Sequence, residues 1–143
     1  MSHAPVLVDS GFLVALGIRR DPRHQAARQW LQTNGSPLLT PTPVVTQSCY
    51  FLSPKAKAAL LRWIADGKRL RLIDIPPAAH GAIAAIVEKY ATRDPDFTDA
   101  ALIWAADAVR CARILTVDQS DFEVYRLKGS KRFELIDWHS ARA

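Results

Sequence analysis

Pro5-Val6-Leu7-Val8-Asp9-Ser10-Gly11-Phe12-Leu13 is the stretch whose reading decides the fold. An apolar run meets a single carboxylate, a small hydroxyl residue and a glycine follow, and a second apolar run begins. A short unbroken apolar run is the pattern of a strand buried on both faces. Asp9 then stands at the carboxyl end of that strand, where open α/β sheets place their ligands. An acid in that position is either the N-cap of the next helix or a metal ligand.

Outward from this stretch, the chain alternates strand and helix signals. The pattern predicts a strand over 6–9 and a helix over 11–18. Asp21-Pro22, a cap followed by proline, opens a helix to about residue 33. Leu38-Leu39-Thr40 reads as a strand, and Thr42-Pro43 opens a helix through residue 52. Ser53-Pro54 repeats the cap-then-proline signal and opens a helix over 55–66, with Ala58, Leu60, Leu61 and Ile64 inward and Gly67 as its stop. A strand over 71–75, a helix from Pro76-Pro77 to about 90, a charged loop over 92–96 and an alanine-rich helix over 97–111 come next. A strand over 113–117 ends at Asp118, a short helical piece covers 119–125, and a last strand covers 133–137. Strands separated by helices imply right-handed crossovers and a mostly parallel sheet covered on both faces. The expected fold is a single three-layer α/β/α domain over residues 1–143.

The composition agrees with a globular protein: 49% of residues are hydrophobic and 23% charged. No apolar run approaches the roughly 18 residues of a membrane span. The N-terminal Met1-Ser2-His3-Ala4-Pro5 has no basic leader region, so a cytoplasmic location is expected. Cys49 and Cys111 lie in apolar helical patterns without CxxC spacing and read as reduced, buried thiols. The net charge is +5, which favours a polyanionic partner because Lys and Arg neutralise phosphates.

Position selects among the fourteen acids. Asp9 and Asp118 each end a buried strand, and Asp99 sits in the first turn of an apolar helix. All three can converge on one edge of a parallel sheet. Each also has a bland role: Asp9 and Asp118 as caps, Asp99 as a charge at the positive end of a helix. Asp94, Asp96 and Asp121 read as solvated or capping acids, with Asp96 and Asp121 placed to support the main three. Carboxylates from distant segments suit Mg²⁺ or Mn²⁺, which take hard oxygen ligands and keep several waters. Zinc-type His and Cys spacing is absent, and so are GxxxxGK[ST] and GxGxxG.

Four blocks carry a resemblance. Val6-Leu7-Val8-Asp9-Ser10-Gly11-Phe12-Leu13 resembles the opening of PIN-domain nucleases, specifically the VapC-like toxins of bacterial toxin–antitoxin pairs. Pro43-Val44-Val45-Thr46-Gln47-Ser48-Cys49-Tyr50-Phe51-Leu52 resembles their second block. Asp96-Phe97-Thr98-Asp99-Ala100-Ala101-Leu102-Ile103 resembles the third, and Ile114-Leu115-Thr116-Val117-Asp118-Gln119-Ser120-Asp121-Phe122 the fourth. The resemblance implies a parallel sheet of about five strands and Mg²⁺- or Mn²⁺-dependent hydrolysis of RNA. It places Asp9, Asp99 and Asp118 at metal-binding positions, and Ser10 and Thr116 at hydroxyls that orient ligands or waters. It also implies a homodimer and a cognate antitoxin that brings a segment near the acids.

One residue departs from the family pattern. The second block normally carries a glutamate, and Gln47 stands there instead. Glutamine keeps a carbonyl oxygen without the charge, so it becomes a weaker ligand or water-orienter and relieves repulsion among the remaining acids. Three readings follow: divergence with retained activity, natural loss of catalysis, or a change made so that a toxic nuclease could be expressed. The first expectation is thus a toxin–antitoxin endoribonuclease with Asp9, Gln47, Asp99 and Asp118 at its site. The second is a weakened PIN-like module that binds RNA or a protein. A phosphoacceptor receiver domain is a poor third, because Ser10-Gly11 follows Asp9 where paired acids would be needed.

The basic residues form three groups: Arg19, Arg20 and Arg23; Lys55, Lys57, Arg62, Lys68, Arg69 and Arg71; and Lys128, Lys131 and Arg132. In a nuclease, those flanking the acids guide the RNA backbone. Phe97, Trp104 and Trp138 are candidates for base stacking, with Trp104 better placed for the core. His24, His80 and His139 are not read as catalytic.

Overall fold

The structure, a computed structural model, describes residues 4–139. Met1–His3, part of the stretch read as lacking a leader, lies outside the described residues. The chain begins with β1 (Val6–Val8), α1 (Ser10–Gly17), α2 (His24–Thr33), β2 (Leu38–Pro41), α3 (Thr42–Cys49), α4 (Pro54–Asp66) and β3 (Leu70–Ile73). It continues with α5 (His80–Lys89), α6 (Phe97–Val109), β4 (Arg113–Leu115), α7 (Gln119–Val124), β5 (Arg126–Leu127), β6 (Lys131–Arg132) and β7 (Glu134–Leu135).

Five strands form one parallel sheet in the order β3-β2-β1-β4-β7. Val6, Leu7 and Val8 are all fully buried, which requires helices on both faces of β1 and gives the three-layer α/β/α arrangement. Strand order reverses between β1, which leads to β2 and β3, and β4, which leads to β7. That is the switch point where open sheets form a ligand crevice. Leu7 pairs with Ile114 and Val8 with Leu115, so Asp9 and Thr116 leave the sheet side by side.

The local signals worked where side-chain chemistry closes a turn. Ser53 caps α4 by accepting from the Ala56 N–H at 3.2 Å, with Pro54 in its first turn. Gly67 ends the same helix at φ +67°, a conformation that a Cβ disfavours. The Asp21-Pro22 signal predicts the start of α2 two residues early. Asp21 uses its carboxylate on the Arg23 N–H at 2.8 Å, closing a turn, and α2 starts only at His24. Leu61 was expected inward on α4 but is 51% exposed, whereas Leu60 is buried. The helix expected from Pro76-Pro77 starts as a 3₁₀ turn over Pro77–Ala79. The short antiparallel pair β5–β6 was not foreseen, and its two-residue strands are too short to show a period.

Trp138 is a correction. It is buried, its ring packs edge-on to Phe12 at 4.8 Å between centroids, and its indole N–H donates to the Thr116 carbonyl at 3.2 Å. It is a core residue behind β4 and is not available to bases. Arg69 is likewise structural. Its guanidinium donates to the Ser36 carbonyl at 2.8 Å and also to the Asn34 carbonyl, tying β3 to the α2–β2 turn. Both cysteines are free; the Cys111 thiol is buried and donates to the Pro5 carbonyl at 3.2 Å, whereas Cys49, expected buried, is half-buried.

Candidate functional site

The carboxyl ends of β1 and β4, the second turn of α3 and the N-terminus of α6 bring the sequence-selected residues to one edge of the sheet. Asp9 is buried and uses both carboxylate oxygens. Oδ1 accepts from the Ser10 N–H at 2.7 Å, capping α1, and Oδ2 accepts from the Thr116 hydroxyl at 2.9 Å. Asp9 is therefore a cap, and its capping leaves it at the site's inner wall. Thr116 Oγ in turn accepts the Asp118 N–H at 3.0 Å, so one buried hydroxyl fixes two acid-bearing segments.

Asp96 is the N-cap of α6, accepting the Asp99 N–H at 2.8 Å. That frees Asp99 from capping and turns its side chain to the site, where Oδ2 accepts the Tyr125 hydroxyl at 3.2 Å. Asp118 stands before α7 without capping it by its side chain. Asp99, Asp118 and Asp121 each offer a carboxylate oxygen within 4.8 Å of the others. Asp121 thus joins the tight group, while Asp9 lies behind it and raises the pKa of both Asp99 and Asp118 by its charge.

Gln47, from α3, joins the two halves of the edge. Its Oε1 accepts the Ser10 hydroxyl at 2.7 Å, and its Nε2 donates to Asp96 Oδ2 at 3.4 Å. A glutamate here would keep the Ser10 bond but set a second carboxylate against Asp96.

The electrostatics follow from burial of like charges. Burial pushes the Asp99 carboxyl up to about 7, with Asp96, Asp9 and Asp118 adding to the shift. Burial, then the hydrogen bond and charge of Asp121, raise Asp118 to about 6. Asp9 is raised chiefly by burial, against the hydrogen bonds from Ser10 and Thr116. These carboxyls resist ionising unless a positive charge joins them. A hard-oxygen set of this kind fits a divalent cation such as Mg²⁺ or Mn²⁺.

Sequence reasoning missed two contacts. Tyr125, packed edge-on to Phe122 and Tyr90, reaches Asp99 from the end of α7. Arg93, in a 3₁₀ turn, pairs with Asp121 at 2.5 Å. Neither residue stands in a motif. Both contacts depend on the path of loops with no periodic signal.

A family model described as PIN domain matches residues 6–127, a span that includes all of these acids. No curated protein matches the chain significantly by sequence. Among solved structures, the chain is similar to VapC20 of Mycobacterium tuberculosis, a toxin described as cleaving the sarcin–ricin loop. The TM-score is 0.71 at 17% identity, covering 81% of this chain and 93% of that one, and the likeness is one of fold.

Proposed function

The chain belongs to the PIN-domain family, and from that membership we propose that it is a Mg²⁺- or Mn²⁺-dependent endoribonuclease, a VapC-like toxin restrained by a cognate antitoxin. The observation that supports this reading most is the gathering of Asp99, Asp118 and Asp121 beside Asp9 at the sheet's switch point. In this reading Asp9, Asp99 and Asp118 hold the cation, with Asp121 in reach. When bound, the cation lowers the pKa of a water and stabilises charge on the phosphodiester during in-line attack. Thr116 holds Asp9 and the start of the Asp118 segment in register. Tyr125 fixes the Asp99 carboxylate by donating to one oxygen. Ser10 orients Gln47, whose amide lies where a further carboxylate stands in the family pattern.

The net charge of +5 supports a polyanionic substrate. The domain acts in the cytoplasm as a homodimer, and the antitoxin docks near the acids; among the described residues no helix is long and apolar enough to cross a membrane. The test is cleavage of single-stranded RNAs and of a sarcin–ricin-loop hairpin, the latter included because VapC20 acts on that loop. Wild type should cleave at least one RNA with Mn²⁺, and chelation or the Asp99→Asn/Asp118→Asn double change should abolish cleavage. Cleavage that survives in the double variant would sink the metal reading.

A second reading, a weakened module that binds RNA or protein, draws on Gln47, whose amide is engaged at both ends by Ser10 and Asp96. Gln47→Glu separates the two. A rise of tenfold or more in Mn²⁺-dependent cleavage marks the present chain as attenuated. If neither form cleaves RNA or binds Mn²⁺, the enzyme reading fails.

A further inference from the structure

Next to the acids lies a cavity of about 510 Å³, lined in part by Pro43, Thr46, Gln47, Asp74, His80 and Phe97. Small-molecule sites run from roughly 300 to 1,000 Å³. Gln47 belongs to both places, lining the cavity while bonding Ser10 and Asp96 at the acidic edge. Phe97 directly follows Asp96, yet its ring is turned out and 48% exposed. It stacks on His80, with centroids 6.0 Å apart and planes 19° from parallel. His80 Nδ1 lies 3.1 Å from the Pro77 carbonyl, which fixes the ring. The result is a preformed, solvent-facing aromatic wall beside a candidate phosphodiester site. Unpaired bases stack on such walls and are read on their Watson–Crick edges.

The exposed Asp74 carboxylate also lines the cavity and offers two acceptors and no donor. Guanine presents two adjacent donors, N1–H and the N2 amino group, which match both oxygens at once. Adenine and cytosine each set an acceptor nitrogen beside their single amino group, and uracil flanks N3–H with carbonyls. We propose that this cavity is a nucleobase subsite in which Phe97 stacks an unpaired guanine of the RNA and Asp74 accepts from its Watson–Crick edge. The assignment rests on the nuclease reading for its biological substrate, but binding of the base does not require cleavage.

The experiment titrates GMP, AMP, CMP and UMP into the full chain without divalent metal, following the His80 and Phe97 ring signals by NMR. GMP should bind best and move both rings. Phe97→Ala should weaken GMP at least about fivefold, the low end of a base–aromatic stack. Phe97→Leu, which keeps an apolar side chain there, should weaken it similarly, separating stacking from any loss of fold. Asp74→Asn should abolish the preference for GMP over AMP. The subsite is refuted if the four nucleotides bind alike in wild type, if the ring signals do not move, or if Phe97→Leu binds GMP like wild type. Cleavage is scored separately. A wild type that cleaves no RNA counts against the nuclease reading, while the titrations decide the subsite alone.

Discussion

Asp99 sits in the first turn of α6, where the helix dipole favours a negative charge, yet burial and Asp96 push its carboxyl up to about 7. Unfolding returns Asp99 to its ordinary 3.8, and Asp118 falls from about 6 to the same value. The folded chain therefore holds more protons than the unfolded chain from pH 3.8 up to about 7. The stability that these two acids contribute falls as pH rises through that window and levels off above it. With a chelator present, the Tm of wild type relative to Asp99→Asn should drop between about pH 5 and pH 8; a difference that is flat or rises with pH contradicts the assigned burial. Thr116 is the second residue whose effect exceeds its size. Its hydroxyl donates to Asp9 and accepts from the Asp118 N–H, and both bonds are lost in Thr116→Val. Groups that orient metal ligands typically contribute about 10- to 100-fold in affinity or activity. Thr116→Val should lower Mn²⁺-dependent RNA cleavage by a factor in that range while far-UV circular dichroism stays unchanged, and wild-type rates in the variant would deny Thr116 this role.

The first turn of α1 packs closely against the segment after β4. A Cβ at Gly11 would come within 2.7 Å of Val117 Cγ2 and 3.1 Å of Cγ1, between Thr116 and Asp118. A β-branched valine cannot swing away freely, so Gly11→Ala should cost about 1–3 kcal/mol in urea denaturation. Val117→Ala in the same chain should recover part of that loss; an unaltered midpoint in the single variant would mean that α1 moves without penalty. This packing was not legible in the sequence, where Gly11 reads only as a small residue after Ser10. What was legible came from patterns with a local cause. Val6–Val8 and Arg113–Leu115 show buried-strand runs, and Ser53-Pro54 with Gly67 frames α4 through chemistry confined to a few residues. Asp21-Pro22 misled because the same capping chemistry closes a turn as readily as a helix. Asp9, Asp99 and Asp118 could be chosen because strand ends and helix starts mark one sheet edge. Tyr125 and Arg93 could not, since they reach the acids through α7 and a 3₁₀ turn whose paths depend on tertiary packing.

Over the whole molecule, a chain of net charge +5 gathers partly buried carboxylates beside the buried Asp9 at the edge where the parallel sheet leaves a crevice. A fold that concentrates like charges in this way loses stability when they ionise and regains it when a cation joins them. A ligand that binds only the folded state stabilises it by RT ln(1 + [L]/Kd), about 2.7 kcal/mol at a hundredfold excess over Kd. Protons compete for the same oxygens, since Asp99 and Asp118 hold theirs to about 7 and about 6. Mn²⁺ should therefore raise Tm more at about pH 8 than at about pH 5. At pH 8 the ion meets ionised acids and also removes their mutual repulsion, whereas at pH 5 it must first displace protons. The Asp99→Asn/Asp118→Asn double variant should show little shift at either pH. Comparison of Mn²⁺ with Na⁺ at matched ionic strength separates site binding from screening, because screening needs no particular carboxylate. An equal Mn²⁺ shift at both pH values, or one retained in the double variant, would place the ion elsewhere on the surface and leave the acidic edge without a cation.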